Sequence, residues 1–579
     1  MWQKFQLSDS SKSKNSPPDA QKQVDLRWGV KIPVRDGILL NATIYSPDSE
    51  QPTPVIFTLT PYIADSFHPR AVYFAKNGYA FALVDCRGRG NSEGSFEPFF
   101  QEARDGHDIV EWFAKQPWCD GQIAMWGGSY GGFDQWMTLK ELPSHLKTIV
   151  PAAATHVGVD FPIFKNIFFS YGMQWITFVS GKTGNTALFG DSAFWIEKFQ
   201  EMYQKHRPFS ALDKIVGNES SIFQTWLQHS HQDAYWDQMA LTKEQYDQIN
   251  IPILTITGHF DGDQSGAMEY YRRHMSSSSR AKENHYLVIG PWDHAGTRSP
   301  SLECGGLKFD EASLLDLNQL HKDWYDWVMK GGKKPAFLKK RVAYYVMGEE
   351  KWKYADNLEL IAPKARKLYL TSSGIANDAF HSGKLSEKPS EDSKPDTFTY
   401  DPLDNRPGEL ERKEINDSLT DQTFDLNLFG NGLVYHTAAF TKDTEITGWV
   451  KFVAWISLNV PDTDFNVSIS EVLANGGGIR LTQDLLRARY RESLREEKPI
   501  VPGEIKQYIF DGFSFFSRRV AKGSRLRLII TCPNSIYVQK NYNNGEAVQT
   551  GTEVNAKTAH ITLFHDVHRQ SYLEIPIAK

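Results

Sequence analysis

The sequence predicts an α/β domain that is interrupted by a helical insertion and followed by an all-β domain. Short apolar segments alternate with amphipathic segments from about residue 25, stop doing so near residue 156, and resume near residue 246. After residue 335, β-rich segments are separated by clusters of Gly, Pro, Asn and Asp, which is typical of an all-β domain. A chain of 579 residues is long enough for about two to four domains.

Buried strands of a parallel or mixed sheet are predicted from apolar runs that lack polar alternation. The runs are VIFTLT at 55–60, FALVD at 81–85, IAMWG at 123–127, IVPAAAT at 149–155, ILTITG at 253–258 and HYLVIGPW at 285–292. The segment 101–116 is a predicted helix because its large apolar residues fall on one side. A second helix-like segment occupies 264–275, between the last two strands.

The predicted domain boundaries follow these changes of pattern. They are a mobile tail at 1–24, an α/β domain at 25–155 and 246–335, a helical cap insertion at 156–245, and a β sandwich or jelly roll at 336–579. The apolar segment 161–179 carries Lys165, Asn166 and Gln174, so an amphipathic helix against a pocket is favoured over a membrane span. The polar segment 391–421 is predicted to be a long surface loop.

Composition and charge argue against several classes of function. The formal net charge is -6, from 64 basic and 70 acidic side chains, which gives no electrostatic reason to bind nucleic acid or an anionic membrane. The four cysteines argue against a disulfide scaffold, and none forms a CxxC pair that would suggest structural zinc. The polar start of the chain shows no targeting segment, so a cytoplasmic location is expected.

The sharpest local signal is Gly127-Gly128-Ser129-Tyr130-Gly131, which fits the pattern G-x-S-x-G. A buried-strand pattern runs into it, and a helix-like segment, FDQWMTLKEL, leaves it. This strand–elbow–helix context is typical of the nucleophile of α/β-hydrolases, where the glycines avoid clashes around a strained serine. The alternative is a tight Gly-rich turn with an inert serine. The context favours Ser129 as a nucleophile.

A nucleophilic serine needs a base beside it, and the base needs a carboxylate that fixes its tautomer. In α/β-hydrolases the chain order is serine, acid, histidine. Asp261 directly follows the predicted strand 253–258, and His294 follows the predicted strand 285–292. Order and placement therefore indicate Asp261 as the acid and His294 as the base.

Other acids and histidines lie near enough to compete for these roles. Asp263, two residues past Asp261, remains an alternative acid, whereas Asp293 is predicted to be a loop residue because adjacent side chains diverge. His259 could serve as a base in principle. His285 stands at the start of its strand, which is the wrong end, and His107 lies in a predicted helix.

Acyl transfer also needs hydrogen-bond donors for the oxyanion of the transition state. One is expected to be the backbone N–H of Tyr130, the residue after the serine. The second usually comes from the loop after an early strand, and here that loop contains Tyr62, which could offer its phenolic O–H. A loop tyrosine that merely packs is the alternative for Tyr62.

The chain resembles the cocaine esterase and X-prolyl dipeptidyl-peptidase (CocE/NonD) family of α/β-hydrolases, which also includes α-amino acid ester hydrolases. The motifs that carry the resemblance are VKIPVRDGILLNATIYSP, TPY, DCRGRGNSEG, WCDGQIAMWGGSYGG, GHFDGD, IGPWDHAG, YYVMGEEKW, LVYHTAAF, EITGWV, DTDFNVSISEV and LRARYRES, in that order. The resemblance implies an α/β-hydrolase domain with a helical cap and a carboxy-terminal jelly roll. It implies Ser129 as nucleophile, Asp261 as acid, His294 as base, and Tyr62 and Tyr130 as oxyanion donors. It implies no metal and no organic cofactor.

Two departures from the family bear on the subgroup. α-Amino acid ester hydrolases hold the substrate's ammonium group with a cluster of carboxylates, whereas the cap here offers Asp160, Asp233 and Asp237 without a dense acidic run. Of these, Asp160 is the one to suspect. X-prolyl dipeptidyl peptidases usually carry an extra amino-terminal helical domain, and only about 25 residues precede the predicted hydrolase domain here.

The expected function is hydrolysis of a carboxylic ester or amide through an acyl-enzyme. The alternative is a peptidase like the X-prolyl dipeptidyl peptidases, or an acylase, and a third interpretation is a non-catalytic binding module. The presence of all three triad candidates argues against the binding module. A small-molecule or short-peptide ester or amide is the expected partner, with no nucleic acid and no membrane. The sequence leaves the formation of a homo-oligomer open.

Overall fold

The computed structural model describes residues 23–391 and 393–578. The tail predicted at 1–24 therefore lies almost wholly outside the described residues. The chain begins with strands and helices that alternate as the apolar pattern predicts. They are β1 (Val24–Pro33), β2 (Leu39–Pro47), β3 (Thr53–Thr60), α1 (His68–Lys76), β4 (Ala80–Asp85), α2 (Glu102–Ala114), β5 (Cys119–Ser129), α3 (Tyr130–Lys140) and β6 (Leu146–Ala154).

The insertion after β6, which we call the cap, is mainly helical. Its elements are β7 (Ile163–Phe164), β8 (Ile167–Phe168), α4 (Tyr171–Phe178), α5 (Thr186–Phe189), α6 (Ser192–Gln204), α7 (Leu212–Ile215), α8 (Ser221–Gln228), α9 (Ala234–Asp237) and α10 (Lys243–Gln248). The helix predicted over 161–179 is wrong in its first half. Lys165 and Asn166 have positive φ angles of 47° and 66°, which turn the chain into the β7–β8 hairpin. The helix begins only at Tyr171.

The α/β domain then continues and completes its sheet. Its further elements are β9 (Ile253–Phe260), α11 (Gln264–Ser276), β10 (His285–Asp293), β11 (Glu303–Cys304), β12 (Leu307–Lys308), α12 (Leu317–Lys330), β13 (Val342–Val346) and β14 (Lys351–Ala355). Ten strands form one mixed sheet in the order β1-β2-β4-β3-β5-β6-β9-β10-β13-β14. From β4 to β13 all neighbours are parallel. Helices α2 and α3 pack on one face and α1 and α12 on the other, each pair within its own hydrophobic cluster.

The first sheet extends past the boundary predicted at residue 335. Strand β13 pairs in parallel with β10, and β14 pairs with β13, so the segment RVAYYVMG belongs to this sheet and not to the β-rich domain. All five residues of β13 are buried, as expected for a strand that is covered on both faces. An apolar run of this kind fits either sheet, and the sequence alone does not choose between them.

The remaining residues form a β-rich domain whose strands all belong to one 13-stranded sheet system. Its elements are β15 (Lys364–Thr371), β16 (Gly383–Ser386), β17 (Asp396–Tyr400), α13 (Arg406–Leu410), α14 (Lys413–Asp417), β18 (Gly432–Thr437), β19 (Thr444–Gly448), β20 (Lys451–Leu458), β21 (Asp464–Val472), β22 (Gly478–Arg487), β23 (Ile505–Phe510), β24 (Phe516–Val520), β25 (Arg525–Thr531), β26 (Ala559–Phe564) and β27 (Tyr572–Ile577). Strand β22 ends the strand order and pairs with β21. The jelly-roll topology stays a prediction.

The long surface loop predicted at 391–421 is partly wrong, because this segment contains β17, α13 and α14. Its polar residues are used inside the domain. The fully buried carboxylate of Asp396 accepts hydrogen bonds from Ser372 and Tyr435, at 2.8 and 2.7 Å, and lies 2.8 Å from a ring nitrogen of His565. A polar composition therefore did not indicate solvent exposure here.

The β-rich domain is joined to the first sheet by backbone hydrogen bonds as well as by apolar packing. The backbone N–H of Met347 donates to the carbonyl of Ser517 in β24 at 3.1 Å, and the carbonyl of Met347 accepts the backbone N–H of Arg519 at 2.8 Å. Tyr345 and Met347 are buried in the hydrophobic cluster of the β-rich domain. The side-chain amide of Gln264 on α11 also exchanges two hydrogen bonds with the backbone of Phe515.

The cap contacts the β-rich domain through its first hairpin. The ammonium group of Lys165 lies 2.9 Å from the carboxylate of Asp484. The guanidinium of Arg487, which is buried and paired with Asp464, donates to the carbonyl of Asn166 at 2.9 Å. None of the helices formed by the described residues has the length and hydrophobicity needed to span a bilayer.

A chain that ends at Lys334 is predicted to lose its fold. The truncation removes β13, the parallel neighbour of β10, and leaves one side of β10 without hydrogen-bond partners. We expect this fragment to be recovered mainly as aggregate, whereas the full chain sediments as a defined species in analytical ultracentrifugation. A soluble fragment with a cooperative unfolding transition would contradict this prediction.

Candidate active site

Ser129 lies at a sharp turn between β5 and α3. Its φ and ψ angles are 63° and −124°, a conformation that side chains other than glycine rarely adopt. The turn also depends on close packing of α3 against β6. A Cβ atom at Gly132 would lie 2.8 Å from the Cα of Ala154, so only glycine lets α3 approach β6 at this point. The structure therefore has the strained elbow that the motif predicts.

Asp261 and His294 follow adjacent parallel strands, β9 and β10, and meet at the carboxyl edge of the sheet. His294 Nδ1 lies 2.8 Å from Asp261 Oδ1. The Asp261 carboxylate also accepts the hydroxyl of Thr257 at 3.0 Å and the backbone N–H of Asp263 at 3.0 Å. These bonds hold the carboxylate, whose side chain is fully buried, in one orientation toward His294.

The ionisation of this pair is shifted in opposite directions. Burial alone would raise the pKa of Asp261, but the hydrogen bond with His294 and the charge of the imidazolium lower it below its ordinary value. Burial and the charge of Arg298 lower the pKa of His294. The carboxylates of Asp263 and Asp261 outweigh them, and the net shift of that pKa is upward. The arrangement thus stabilises the ion pair.

The alternative acid, Asp263, is farther from the histidine. Its Oδ2 lies 3.7 Å from His294 Nδ1, outside the range of a good hydrogen bond. Burial raises the pKa of Asp263 well above its ordinary value, and the charges of Asp160 and Asp261 add to this shift. Asp293 accepts the backbone N–H of Gly296 at 2.8 Å, as a loop residue would.

The other histidines are not placed as His294 is. His259 contacts the same cavity, but its Nε2 lies 2.7 Å from the carbonyl of Tyr345, and burial lowers its pKa to about 4. His285 is fully buried at the start of β10. His107 lies on α2, 3.2 Å from the guanidinium of Arg35.

Tyr62 stands beside Ser129, in the loop after β3. Its hydroxyl accepts a hydrogen bond from the indole N–H of Trp175 at 3.0 Å, and Ser129 is close enough to lower the pKa of this hydroxyl. Burial raises the pKa of Tyr62 to about 12, so the hydroxyl keeps its proton near neutral pH and can donate it to an anionic oxygen. Trp175 on α4 was not found from the sequence, where one tryptophan among many aromatic residues carries no distinguishing signal.

A buried arginine holds the loop that carries Tyr62. Arg89 donates from Nε to the carbonyl of Pro61 at 2.8 Å, and its Nη atoms donate to the carbonyls of Gly181 and Thr183 in the cap. Its side chain has no solvent exposure. Because one guanidinium binds both segments, the position of the Tyr62 loop is fixed relative to the cap.

Tyr130 is the first residue of α3, so its backbone N–H has no acceptor within the helix. Its side chain is directed elsewhere. The phenol donates to Glu102 at 2.5 Å and accepts the backbone N–H of Phe99 at 2.9 Å. Burial raises the pKa of Glu102 to about 7. The buried side chain thus anchors the residue while its N–H remains available beside Ser129.

These residues line a cavity of about 590 Å³, which is enclosed by the α/β domain, the cap and the β-rich domain together. The α/β domain contributes Ser129, Asp261, Asp263, His294 and Tyr62. The cap contributes mainly rings, and the β-rich domain contributes residues of β22. The ring and β22 residues are Phe161, Phe164, Phe169, Tyr171, Trp175, Arg480, Leu481, Thr482, Gln483, Asp484 and Leu485.

Of the three cap carboxylates considered from the sequence, only Asp160 contacts this cavity. Its oxygens accept the backbone N–H groups of His156 at 2.9 Å and Gly266 at 2.5 Å, which fastens the start of the cap to α11. Asp233 caps α9, and Asp237 is paired with Arg495 on the surface. In the described part of the chain, no group of three or more His, Cys, Asp or Glu side chains is arranged to hold a metal ion.

Arg298 is a further residue of the site that the sequence did not reveal. Its guanidinium lies against the elbow, where a Cβ atom at Gly128 would come within 2.5 Å of Nη1. Burial lowers the pKa of Arg298, while the nearby Asp261, Tyr62 and Asp263 favour its charged form. Its position four residues after His294 is the one signal that could have suggested it.

Comparisons with protein families agree with the two-part architecture. Residues 36–296 match the family model of the X-Pro dipeptidyl-peptidase (S15 family), and residues 337–574 match that of the X-Pro dipeptidyl-peptidase C-terminal non-catalytic domain. The chain is similar to the cocaine esterase of Rhodococcus sp. (strain MB1 Bresler), with 27% identity over 583 residues. The alignment covers 95% of this chain and 98% of that esterase.

Solved structures of the same fold cover almost the entire chain. An aminopeptidase from a marine sediment Thaumarchaeota archaeon superposes with a TM-score of 0.83 at 21% identity. An α-amino acid ester hydrolase superposes with a TM-score of 0.83 at 20% identity. Each match covers 99% of both chains, and at these identities it establishes the fold.

Replacing the neighbouring carboxylate should change the titration of the histidine. Asp263→Asn is predicted to lower the pKa of His294, because the carboxylate of Asp263 and the imidazolium of His294 stabilise each other's charged forms. NMR titration of protein with isotope-labelled histidine measures this pKa directly. Asp293→Asn is the control and should leave it nearly unchanged. An unchanged or higher pKa in Asp263→Asn would contradict the electrostatic account.

Proposed function

The chain belongs to the cocaine esterase and X-Pro dipeptidyl-peptidase (S15) family of α/β-hydrolases and is a serine hydrolase, either an esterase or a peptidase; on this premise we propose that it cleaves a carboxylic ester or amide through an acyl-enzyme. One observation carries the proposal. The same cavity is lined by the strained Ser129 and by Asp261 and His294, which are hydrogen-bonded to each other.

In the proposed reaction, the hydroxyl of Ser129 attacks the substrate carbonyl while His294 takes its proton. The tetrahedral oxyanion accepts hydrogen bonds from the hydroxyl of Tyr62 and the backbone N–H of Tyr130. His294 then gives the proton to the departing alcohol or amine, which leaves the acyl group on Ser129. A water molecule then attacks the acyl group while His294 takes its proton. His294 returns this proton to the Ser129 oxygen, and the carboxylic acid is released.

The ionisation of the site fits these roles. The lowered pKa of Asp261 keeps it anionic, and its charge favours the imidazolium that forms in each half of the reaction. His294 must be neutral to act as a base, so the rate should rise with pH through a pKa above the ordinary value of 6.5. No hydrogen bond of the described residues joins Ser129 to His294 directly, and such contacts commonly tighten only when substrate binds.

The cap rings favour an apolar or aromatic acyl group. Tyr62 stacks on Phe178 with ring centroids 5.4 Å apart, and Phe161, Tyr171 and Trp175 form a contiguous set of rings beside it. Such a surface gains free energy when it covers an apolar group.

A second candidate is cleavage of a substrate with an amino group near the scissile carbonyl, as in an aminopeptidase-like or acylase-like reaction. Asp263 favours it, because this half-buried carboxylate lies in the cavity wall and a cationic amino group would stabilise its charged form. Asp160 is less suited, since backbone N–H groups already occupy its oxygens. Relative turnover of an aminoacyl ester, its des-amino analogue and the matching amides separates the two candidates.

A fluorophosphonate probe is expected to label Ser129 and abolish hydrolysis of a simple ester such as an aryl acetate. Ser129→Ala should remove both labelling and turnover, because no other hydroxyl stands at the strained elbow. Peptide mapping by mass spectrometry identifies the labelled residue. An adduct on another residue, together with activity in Ser129→Ala, would disprove the proposed mechanism.

Tyr62→Phe tests whether the hydroxyl of Tyr62 donates a hydrogen bond to the oxyanion of the transition state. The ring and its packing on Phe178 remain, so a loss should fall on kcat and be about 10²–10³-fold, as for one oxyanion donor elsewhere. KM should change far less, because the charge exists only in the transition state.

Tyr171→Phe is the matched control, since Tyr171 contacts the same cavity on the cap side. Its kcat should stay within a few-fold of the parent's. A Tyr62→Phe enzyme with the same kcat as this control would remove Tyr62 from the mechanism.

A further inference from the structure

A second cavity, of about 370 Å³, adjoins the candidate active site. We call it the β-domain cavity. The two cavities share five lining residues, which are Phe169, Asn416, Arg480, Gln483 and Leu485. Its volume falls within the range of ligand pockets, roughly 300–1,000 Å³. A ligand that starts at Ser129 could therefore extend into it.

The floor of the β-domain cavity is one face of three strands, β22, β21 and β25. The register between β21 and β22 shifts between Ile469 and Ser470, which leaves Leu481 without a cross-strand partner. Because of this bulge, Arg480, Gln483 and Leu485 lie on the same face as Asn466 and Ser468, although their spacing along β22 is uneven. The floor continues on β25 with Ile529 and Thr531, the cross-strand partners of Ser468 and Asn466.

The segment between α13 and β18 forms the opposite side, together with one ring from the cap. Phe424, Phe429 and Asn431 contact the cavity from this segment, and Phe169 contacts it from the cap. The cavity is thus enclosed by aromatic rings on one side and by a polar strand face on the other.

Four carboxamide side chains in the wall have no hydrogen-bond partner among the described residues. They are Asn416, Asn431, Asn466 and Gln483. Each carboxamide both donates and accepts hydrogen bonds. A ligand rich in hydroxyl groups, which also donate and accept, can satisfy all of them, whereas a purely apolar ligand would leave them desolvated and unpaired.

The charged groups of the wall favour an uncharged ligand. Asp425 accepts the hydroxyl of Ser470 at 2.6 Å, and Glu411 accepts the backbone N–H of Ile536 at 2.6 Å. These carboxylates would repel an anion. Arg480, which donates to two backbone carbonyls of the covering segment, would repel a cation.

We propose that the β-domain cavity is the subsite for the leaving group of the substrate and that it takes a neutral, hydroxyl-rich ring such as a sugar. This inference rests on the proposed function, which assigns the ring-lined cap side to the acyl group and leaves the polar side to the alcohol. The acyl–oxygen bond breaks, the sugar oxygen takes the proton from His294, and water then supplies the oxygen of the released acid.

A matched pair of esters tests the assignment. Methyl benzoate and methyl 6-O-benzoyl-β-D-glucoside share the acyl group and differ only in the leaving alcohol. We expect the sugar ester to have a kcat/KM about tenfold higher or more, the equivalent of one to two neutral hydrogen bonds.

Asn466→Leu and Asn431→Leu should each remove about three- to tenfold of that preference and leave methyl benzoate turnover unchanged, because both residues contact only the β-domain cavity. Unchanged turnover of methyl benzoate also shows that the variants fold. Gln507→Leu is the control, because Gln507 is an exposed carboxamide of the same domain that contacts neither cavity. No preference for the sugar ester in the parent, or a preference that survives in both variants, would overturn the inference.

Binding without turnover separates this inference from the proposed function. Saturation-transfer NMR with methyl β-D-glucoside and the Ser129→Ala protein should show contact that Asn466→Leu weakens. Absence of contact would overturn the subsite even if methyl benzoate is hydrolysed. If saturation transfer to methyl β-D-glucoside is seen although the parent protein hydrolyses neither ester, the sugar site is supported and the proposed reaction is disproved.

Discussion

The parallel pairing of β5, β6, β9 and β10 is the constraint on which the rest of the structure depends. Parallel strands end on the same edge of a sheet, so residues that follow them meet there even when the chain separates them widely. Ser129 follows β5, and Asp261 and His294 follow β9 and β10. The cap leaves the sheet directly after β6, at this same edge, and therefore covers the residues that the edge brings together.

The cap and the β-rich domain complete a site that the sheet alone leaves open. The cap supplies the rings around Tyr62, and the buried Arg89 ties the loop of Tyr62 to it. The β-rich domain supplies β22, whose residues contact both cavities. Each of the three parts is hydrogen-bonded to the others, so the substrate would meet walls that are already in place.

The sequence predicts the strands of the first sheet and the elbow well, because both depend on local pattern. Buried parallel strands are apolar throughout, and the elbow needs glycines around Ser129. Long-range pairing is not local, and the sequence therefore assigned β13 to the wrong sheet and missed the turn at Lys165 and Asn166. Trp175, Arg89 and Arg298 were missed for the same reason, since their positions depend on which segments the folded chain brings together. The distance that favours Asp261 over Asp263 is likewise a property of the folded chain.

The bulge at Leu481 has a consequence for how such a site can diverge. The bulge takes up one extra residue within an edge strand, and Arg480 and Gln483 still face the floor of the β-domain cavity although they are three positions apart in the chain. Insertions and deletions are usually tolerated in loops and harmful in strands. Here the bulge can take up such a change, because loss of Leu481 would restore the regular alternation of β22 and leave Arg480 and Gln483 on the floor of the β-domain cavity. The length of β22 is therefore less constrained at this position than elsewhere in the strand, and the polar floor persists when it changes.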